Sequence, residues 1–99
     1  MPADTYDAAV KKLALDIAEL CIRKHRDYST GNLLNTPFSP DIILAVRLNE
    51  KIARLANLVQ KNVAPANESE FDSIIDIIGY SVAWLMIKEG TFELPMEQK

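Results

Sequence analysis

Glu68, Asp72, Asp76 and Tyr80 recur at every fourth residue. On an α-helix that spacing stacks three carboxylates and a phenol along one face. Between Phe71 and Ile87 most of the other residues are apolar, among them Ile74, Ile75, Ile77, Ile78, Val82, Ala83, Trp84, Leu85 and Met86. A helix that is apolar on most sides is normally buried. Buried carboxylates are costly unless paired or metal-bound, and like charges four residues apart repel. The stripe therefore asks for a cation, a basic partner or water. Oxygen ligands converging from two or three helices suit Mg²⁺, which takes a few carboxylates and leaves positions for phosphate oxygens and water. Glu50 on the preceding helical segment, and Asp16 and Glu19 on the first, enlarge the acidic inventory. The plainer alternative is a solvated face whose aspartates pair with Lys or Arg of a neighbouring helix. For Glu68, in a first helical turn, capping and the helix dipole are a nearly equal explanation.

Arg47, Lys51 and Arg54 follow at i, i+4 and i+7 and give their helix a basic edge. With Lys24 and Arg26 they are suited to hold a phosphate chain, although surface pairing with Glu50 and the acidic stripe accounts for them as simply. The stretch His25-Arg26-Asp27-Tyr28-Ser29-Thr30-Gly31-Asn32 is polar and carries groups that stack on or hydrogen-bond a base or sugar, notably Tyr28 and Asn32. Its single glycine lacks the spacing of a phosphate-binding loop. His25 is equally an end residue complementing the helix dipole. There is no Cys/His cluster and no Ser-His-Asp arrangement, so nucleophilic catalysis is not expected. Phe71, Tyr80 and Trp84 share one helix, where such residues are usually core; part of that helix is expected to face a second subunit.

Three helices must position these groups, in an all-α bundle of one domain over residues 1–99. The first runs from about Asp4 to Arg26, with Asp4 as N-cap and Tyr6, Ala9, Val10, Leu13, Ile17, Leu20 and Cys21 at helical spacing. Residues 27–38 read as a loop. Ser39-Pro40-Asp41 has the cap, first-turn proline and first-turn acid of a helix start. That second helix extends to about Lys61 with Ile43, Leu44, Leu48, Ile52, Leu55, Leu58 and Val59 as its stripe. Asn67-Glu68-Ser69-Glu70 offers a capping box for a third helix over about 67–89, ended near Gly90, before Pro95 and a polar tail.

Ninety-nine residues with 48% hydrophobic and 25% charged content make a globular chain, small enough that self-association would help its core. A net charge of −3 argues against nucleic-acid binding through bulk electrostatics. The single cysteine, Cys21, excludes an internal disulfide framework and reads as a small core residue. Asp72 and Asp76 interrupt the most apolar run, so no membrane span is expected. The first residues carry no signal-peptide pattern, which points to the cytoplasm.

Two patterns resemble the nucleotide modification associated domain 1 family of phages and bacteria. One is the Asp-Tyr loop after the first helix, Asp27-Tyr28-Ser29-Thr30-Gly31-Asn32. The other joins Arg47-Leu48-Asn49-Glu50-Lys51-Ile52-Ala53-Arg54-Leu55 to the run from Glu68 through Tyr80. The likeness spans about residues 10 to 87; Glu50 stands where the pattern has an aspartate before the lysine. More distantly the arrangement is similar to the all-α nucleoside triphosphate pyrophosphohydrolases of the MazG and dimeric dUTPase type. Their Glu-x-x-Glu and Glu-x-x-Asp helices are not matched here: the third helix has i, i+4 spacing and the second only Glu50.

The resemblance implies a phage-type nucleotide-metabolism protein of the bacterial cytoplasm. On that basis a Mg²⁺-dependent hydrolase is expected, acting on a (deoxy)nucleoside triphosphate as a homo-oligomer. Glu50, Asp72 and Asp76 would bind the metal, and Glu68 would serve as a further ligand or orient water. Arg47, Lys51 and Arg54 would meet phosphates, and Tyr28, Asn32 and Tyr80 the base or sugar. The alternative expectation is a non-catalytic module that binds a host factor or sequesters a signalling nucleotide. A third is a non-catalytic subunit docking through its apolar third helix.

Overall fold

The computed structural model describes residues 3–61 and 69–98, the side chain of Asn32 excepted. It contains three long helices and one short one: α1 (Tyr6–Tyr28), α2 (Gly31–Leu34), α3 (Pro40–Lys61) and α4 (Glu70–Glu89). No strand occurs among the described residues. The all-α class and the three main helices follow the sequence pattern; the ends differ in informative ways. Thr5, not Asp4, caps α1, its side chain accepting a hydrogen bond from the Ala8 amide at 3.1 Å. The segment expected as a loop after residue 26 instead continues α1 to Tyr28 and then winds the single turn of α2. Ser39 caps the start of α3 as expected, accepting from the Ile42 amide. The capping box of α4 sits two residues later than its sequence signature suggested. Ser69 accepts from the Asp72 amide at 3.1 Å, and the Asp72 carboxylate accepts from the Ser69 amide at 3.2 Å. Asn67 and Glu68 lie outside the described residues. Gly90 closes α4 in the left-handed conformation, φ 79°, that glycine adopts without strain.

Helices α3 and α4 lie antiparallel, and three cross-links define their register. Asp41 in the first turn of α3 accepts from the Trp84 indole at 2.6 Å and from Lys88 at 2.9 Å. In mid-helix the Arg47 guanidinium lies 5.9 Å from the centre of the Tyr80 ring, a cation–π geometry. At the far end Lys51 reaches Asp76 at 2.9 Å. Each rung sums to nearly the same total of residue numbers, as an antiparallel pair requires. The Trp84 hydrogen bond, together with the Lys88 ammonium, holds the Asp41 carboxyl below the usual carboxylate range.

The buried core is thin. Leu33 of α2, Leu44 of α3 and Phe92 of the C-terminal segment form it, with Leu34, Ile43, Tyr80, Ala83, Trp84, Met86 and Ile87 packed around them. Trp84 and Tyr80 thus belong to the core region as expected, whereas Phe71 is 79% exposed. The tail after Gly90, expected as polar, folds back: Phe92 is buried and meets His25 edge-on at 4.9 Å. Ser73 is fully buried with its hydroxyl unpartnered, a cost on α4 that hydrophobic packing has to offset.

The Asp41 link predicts a specific coupling. Trp84→Phe removes the indole donor and should lower Tm by about 4–8 °C, the shift that about 1 kcal/mol produces in a chain of this length. In an Asp41→Ala background the same substitution should lower Tm markedly less. Equal shifts in both backgrounds, measured by thermal unfolding, would refute the link.

Candidate functional site

Between the C-terminal end of α1, the middle of α4 and the returning tail lies a cleft of about 710 Å³. Its apolar wall comes from α4 (Gly79, Val82, Ala83, Met86) and the tail (Phe92, Leu94). Its charged side comes from Lys24, Arg26, Arg47, Asp76 and Glu97. Gly79 shapes it in a particular way: a Cβ built there meets nothing within 4 Å. A glycine inside a helix costs roughly 1 kcal/mol relative to alanine, and here it leaves bare backbone facing open space.

Asp76 is the charged hinge of this wall. Its two oxygens are divided between Lys24 of α1 at 3.1 Å and Lys51 of α3 at 2.9 Å. Partial burial pushes its carboxyl up, but the hydrogen bonds and charges of Lys51 and Lys24 outweigh this and hold it below the ordinary carboxylate range. The carboxylate is therefore ionised at neutral pH and matched by two cations. Cys21, also on the cleft, has its thiol pushed up by burial, with the Lys24 charge opposing. It is a neutral thiol rather than a nucleophile.

Two of the expected metal ligands are engaged in other bonds. Asp72 is engaged in the α4 cap, Glu50 is exposed on α3, and Asp76 is taken by lysines. Glu68 lies outside the described residues. Among the described residues no group of three or more His, Cys, Asp or Glu is placed to hold a metal ion. The basic residues are better gathered: Lys24 and Arg47 line the cleft, Lys51 sits behind Asp76, and Arg54 continues along α3. Of the base-contacting candidates, Tyr80 and Tyr28 line the cleft, and Asn32 belongs to α2, beside it.

Sequence reasoning missed Gly79, Phe92 and Leu94. The helix-interior glycine was a legible signal. The tail residues matter only because the chain returns to α1, which no local pattern announces. Ser29 carries a second signal. It ends α1 at φ 58°, ψ −154°, a region non-glycine residues avoid, while its amide donates to the His25 carbonyl at 2.7 Å. It also lines the cleft, and a second cavity of about 280 Å³ with His25, Arg26, Thr30 and Glu93. Strain held at the lip of a cavity is a common mark of a working site.

No protein-family model matches the chain, and neither the curated proteins nor the solved structures contain a significant match. The fold and site define a small all-α bundle with an amphipathic, cation-rimmed cleft. No described helix is long and apolar enough to cross a membrane.

Two outcomes follow. Because Asp76 titrates lower in the folded than in the unfolded chain, its stabilisation is complete above about pH 5 and is lost as pH falls through the folded value. Asp76→Asn should therefore cost about 1–2 kcal/mol at pH 7, partial exposure reducing the full charged-bond value. It should also flatten the acid limb of a stability–pH curve below about pH 5; an unchanged limb would contradict the bridge. Separately, Ser29→Gly should raise stability by about 1 kcal/mol by relieving the positive φ. A loss of stability in denaturant unfolding would show that the conformation is not strained.

Proposed function

We propose that this chain binds a nucleotide in the cleft between α1, α4 and the C-terminal segment, as a small nucleotide-handling protein of phage type. The observation that carries the reading is the pairing of apolar lining around Gly79, Met86 and Phe92 with Lys24, Arg26 and Arg47, beside Asp76 and Glu97, in one cleft. A nucleotide has the matching division, a planar base and a polyanionic tail. Charge-assisted bonds from Arg and Lys would hold the phosphates. The bare backbone at Gly79 and the rings of Tyr80 and Phe92 would take the flat base. The Tyr28 phenol, at the mouth, is suited to the sugar. The setting is the cytoplasm of an infected or lysogenic bacterial host.

Binding has more support than turnover. Asp76 already balances two lysines and Asp72 caps its own helix, so neither is disposed toward a metal. The reading is that of the sequestering module, and the pyrophosphohydrolase implied by family resemblance becomes an outcome of its test.

Purified protein should be titrated calorimetrically with deoxynucleoside and ribonucleoside triphosphates in chelator, then with Mg²⁺, with pyrophosphate release followed in parallel. Binding in chelator is expected. Gly79→Leu, whose side chain enters open space, should abolish it while leaving thermal unfolding intact. Arg47→Ala should weaken it about tenfold, the worth of one charge-assisted contact. Affinity only with Mg²⁺, together with pyrophosphate release lost in Asp76→Asn, would replace this reading with the hydrolase. Equal binding by Gly79→Leu would place the ligand elsewhere.

A further inference from the structure

Helix α1 buries none of its residues in the single chain. Tyr6, Val10, Leu13 and Ile17 follow one another at spacings of four, three and four, the rhythm of a two-helix seam. Tyr6 is 82% exposed, Leu13 59% and Val10 46%. From Ile17 onward the helix approaches α4: Ile17, Leu20, Cys21 and His25 are half-buried, and Lys24 is bonded to Asp76. Tyr6, Val10 and Leu13 of the seam thus lie on the half of α1 that α4 leaves uncovered, with Ile17 at its edge.

The chain as a whole is over-exposed for its size. Its accessible surface is 7760 Å², whereas a compact chain of this mass exposes about 5,700 Å². Its radius of gyration is 15.5 Å, against about 13 Å for a compact chain of equal length. The excess of about 2,000 Å² is more than the roughly 800 Å² per partner that a standard interface buries, so a helix seam has the surface it needs.

We propose that a second copy of this chain covers the seam, with the two α1 helices antiparallel about a two-fold axis. Val10 then packs on the partner's Leu13 and Tyr6 on the partner's Ile17. The same patch serves on both copies, so the contact closes as a dimer rather than propagating. The flanking positions permit this direction. Asp7 falls beside the partner's Ala14 and Asp16 beside the partner's Ala9, so no like charges meet across the seam. A parallel pairing would bring both α3–α4 bodies to one end of the seam; the antiparallel one sets them at opposite ends.

Sedimentation equilibrium of the full chain at micromolar concentration should give twice 11.1 kDa. Val10→Asp combined with Leu13→Asp should give a monomer that keeps the thermal unfolding of α3 and α4, since both positions are exposed in the single chain. Direction is read by cross-linking in a Cys21→Ser background. A mixture of Tyr6→Cys and Ile17→Cys chains should form a mixed disulfide under mild oxidation, and Tyr6→Cys chains alone should not. A monomeric parent chain, a dimer untouched by the two aspartates, or ready self-linking of Tyr6→Cys would each overturn the arrangement.

Discussion

The sharing of Asp76 by two lysines holds the three long helices in one register. Lys51 links α3 to α4 and Lys24 links α1 to α4, both through a carboxylate only 22% exposed. Partial burial strengthens such a contact over a surface pair and makes its loss more costly. At the other end of the α3–α4 pair, Asp41 takes the Trp84 indole and Lys88. With both ends fixed, Arg47 and Tyr80 meet in between, and Leu44 is seated at full burial. Helix α1 has no comparable second anchor to α4 among the described residues. It meets that helix through Lys24, beside the cleft.

The same economy explains the thin core. A 99-residue chain buries a modest share of its surface even when compact, and this one fully sequesters few side chains. The tail partly repairs this by returning Phe92 against His25 and α4. Much remains uncovered: Phe71 and Ile74 on α4, Ile52 and Val59 on α3, and Tyr6, Val10 and Leu13 on α1 are all exposed. An exposed stripe at helical spacing is a different matter from scattered apolar residues, because it presents a continuous surface that water wets at a cost.

The helices were legible because caps and periodicity agree. Ser39-Pro40-Asp41 starts α3 by a local rule, and Gly90 ends α4 by another. The acidic stripe was legible as a stripe, but periodicity gives only the face on which a residue lies, not what lies opposite. Whether Asp76 meets magnesium or lysine depends on the packing of three helices, and here Lys24 is 52 residues away in sequence. Asp72 shows a related limit. Its place in the every-fourth-residue pattern suggests a ligand, yet it lies three residues after Ser69, and reciprocal capping engages its carboxylate locally. The exposure of the α1 stripe was likewise hidden: the pattern demands a partner surface without saying whether the same chain supplies it.

The local charge then runs against the global one. The chain carries a net −3, a balance that would repel polyphosphate if spread evenly. At the cleft, however, Asp76 is shared by Lys24 and Lys51, and Arg26, Arg47 and Glu97 line the same space. Charges within a few ångströms in a partly desolvated wall outweigh those a Debye length away, which salt screens. An anion entering the cleft therefore meets Lys24, Arg26 and Arg47 although the molecule is acidic. Asp76 fixes Lys24 against the wall, and an ammonium already held in place loses less side-chain entropy on meeting a phosphate. The carboxylate whose spacing suggested a metal ligand is thus bonded, in the folded chain, to two lysines.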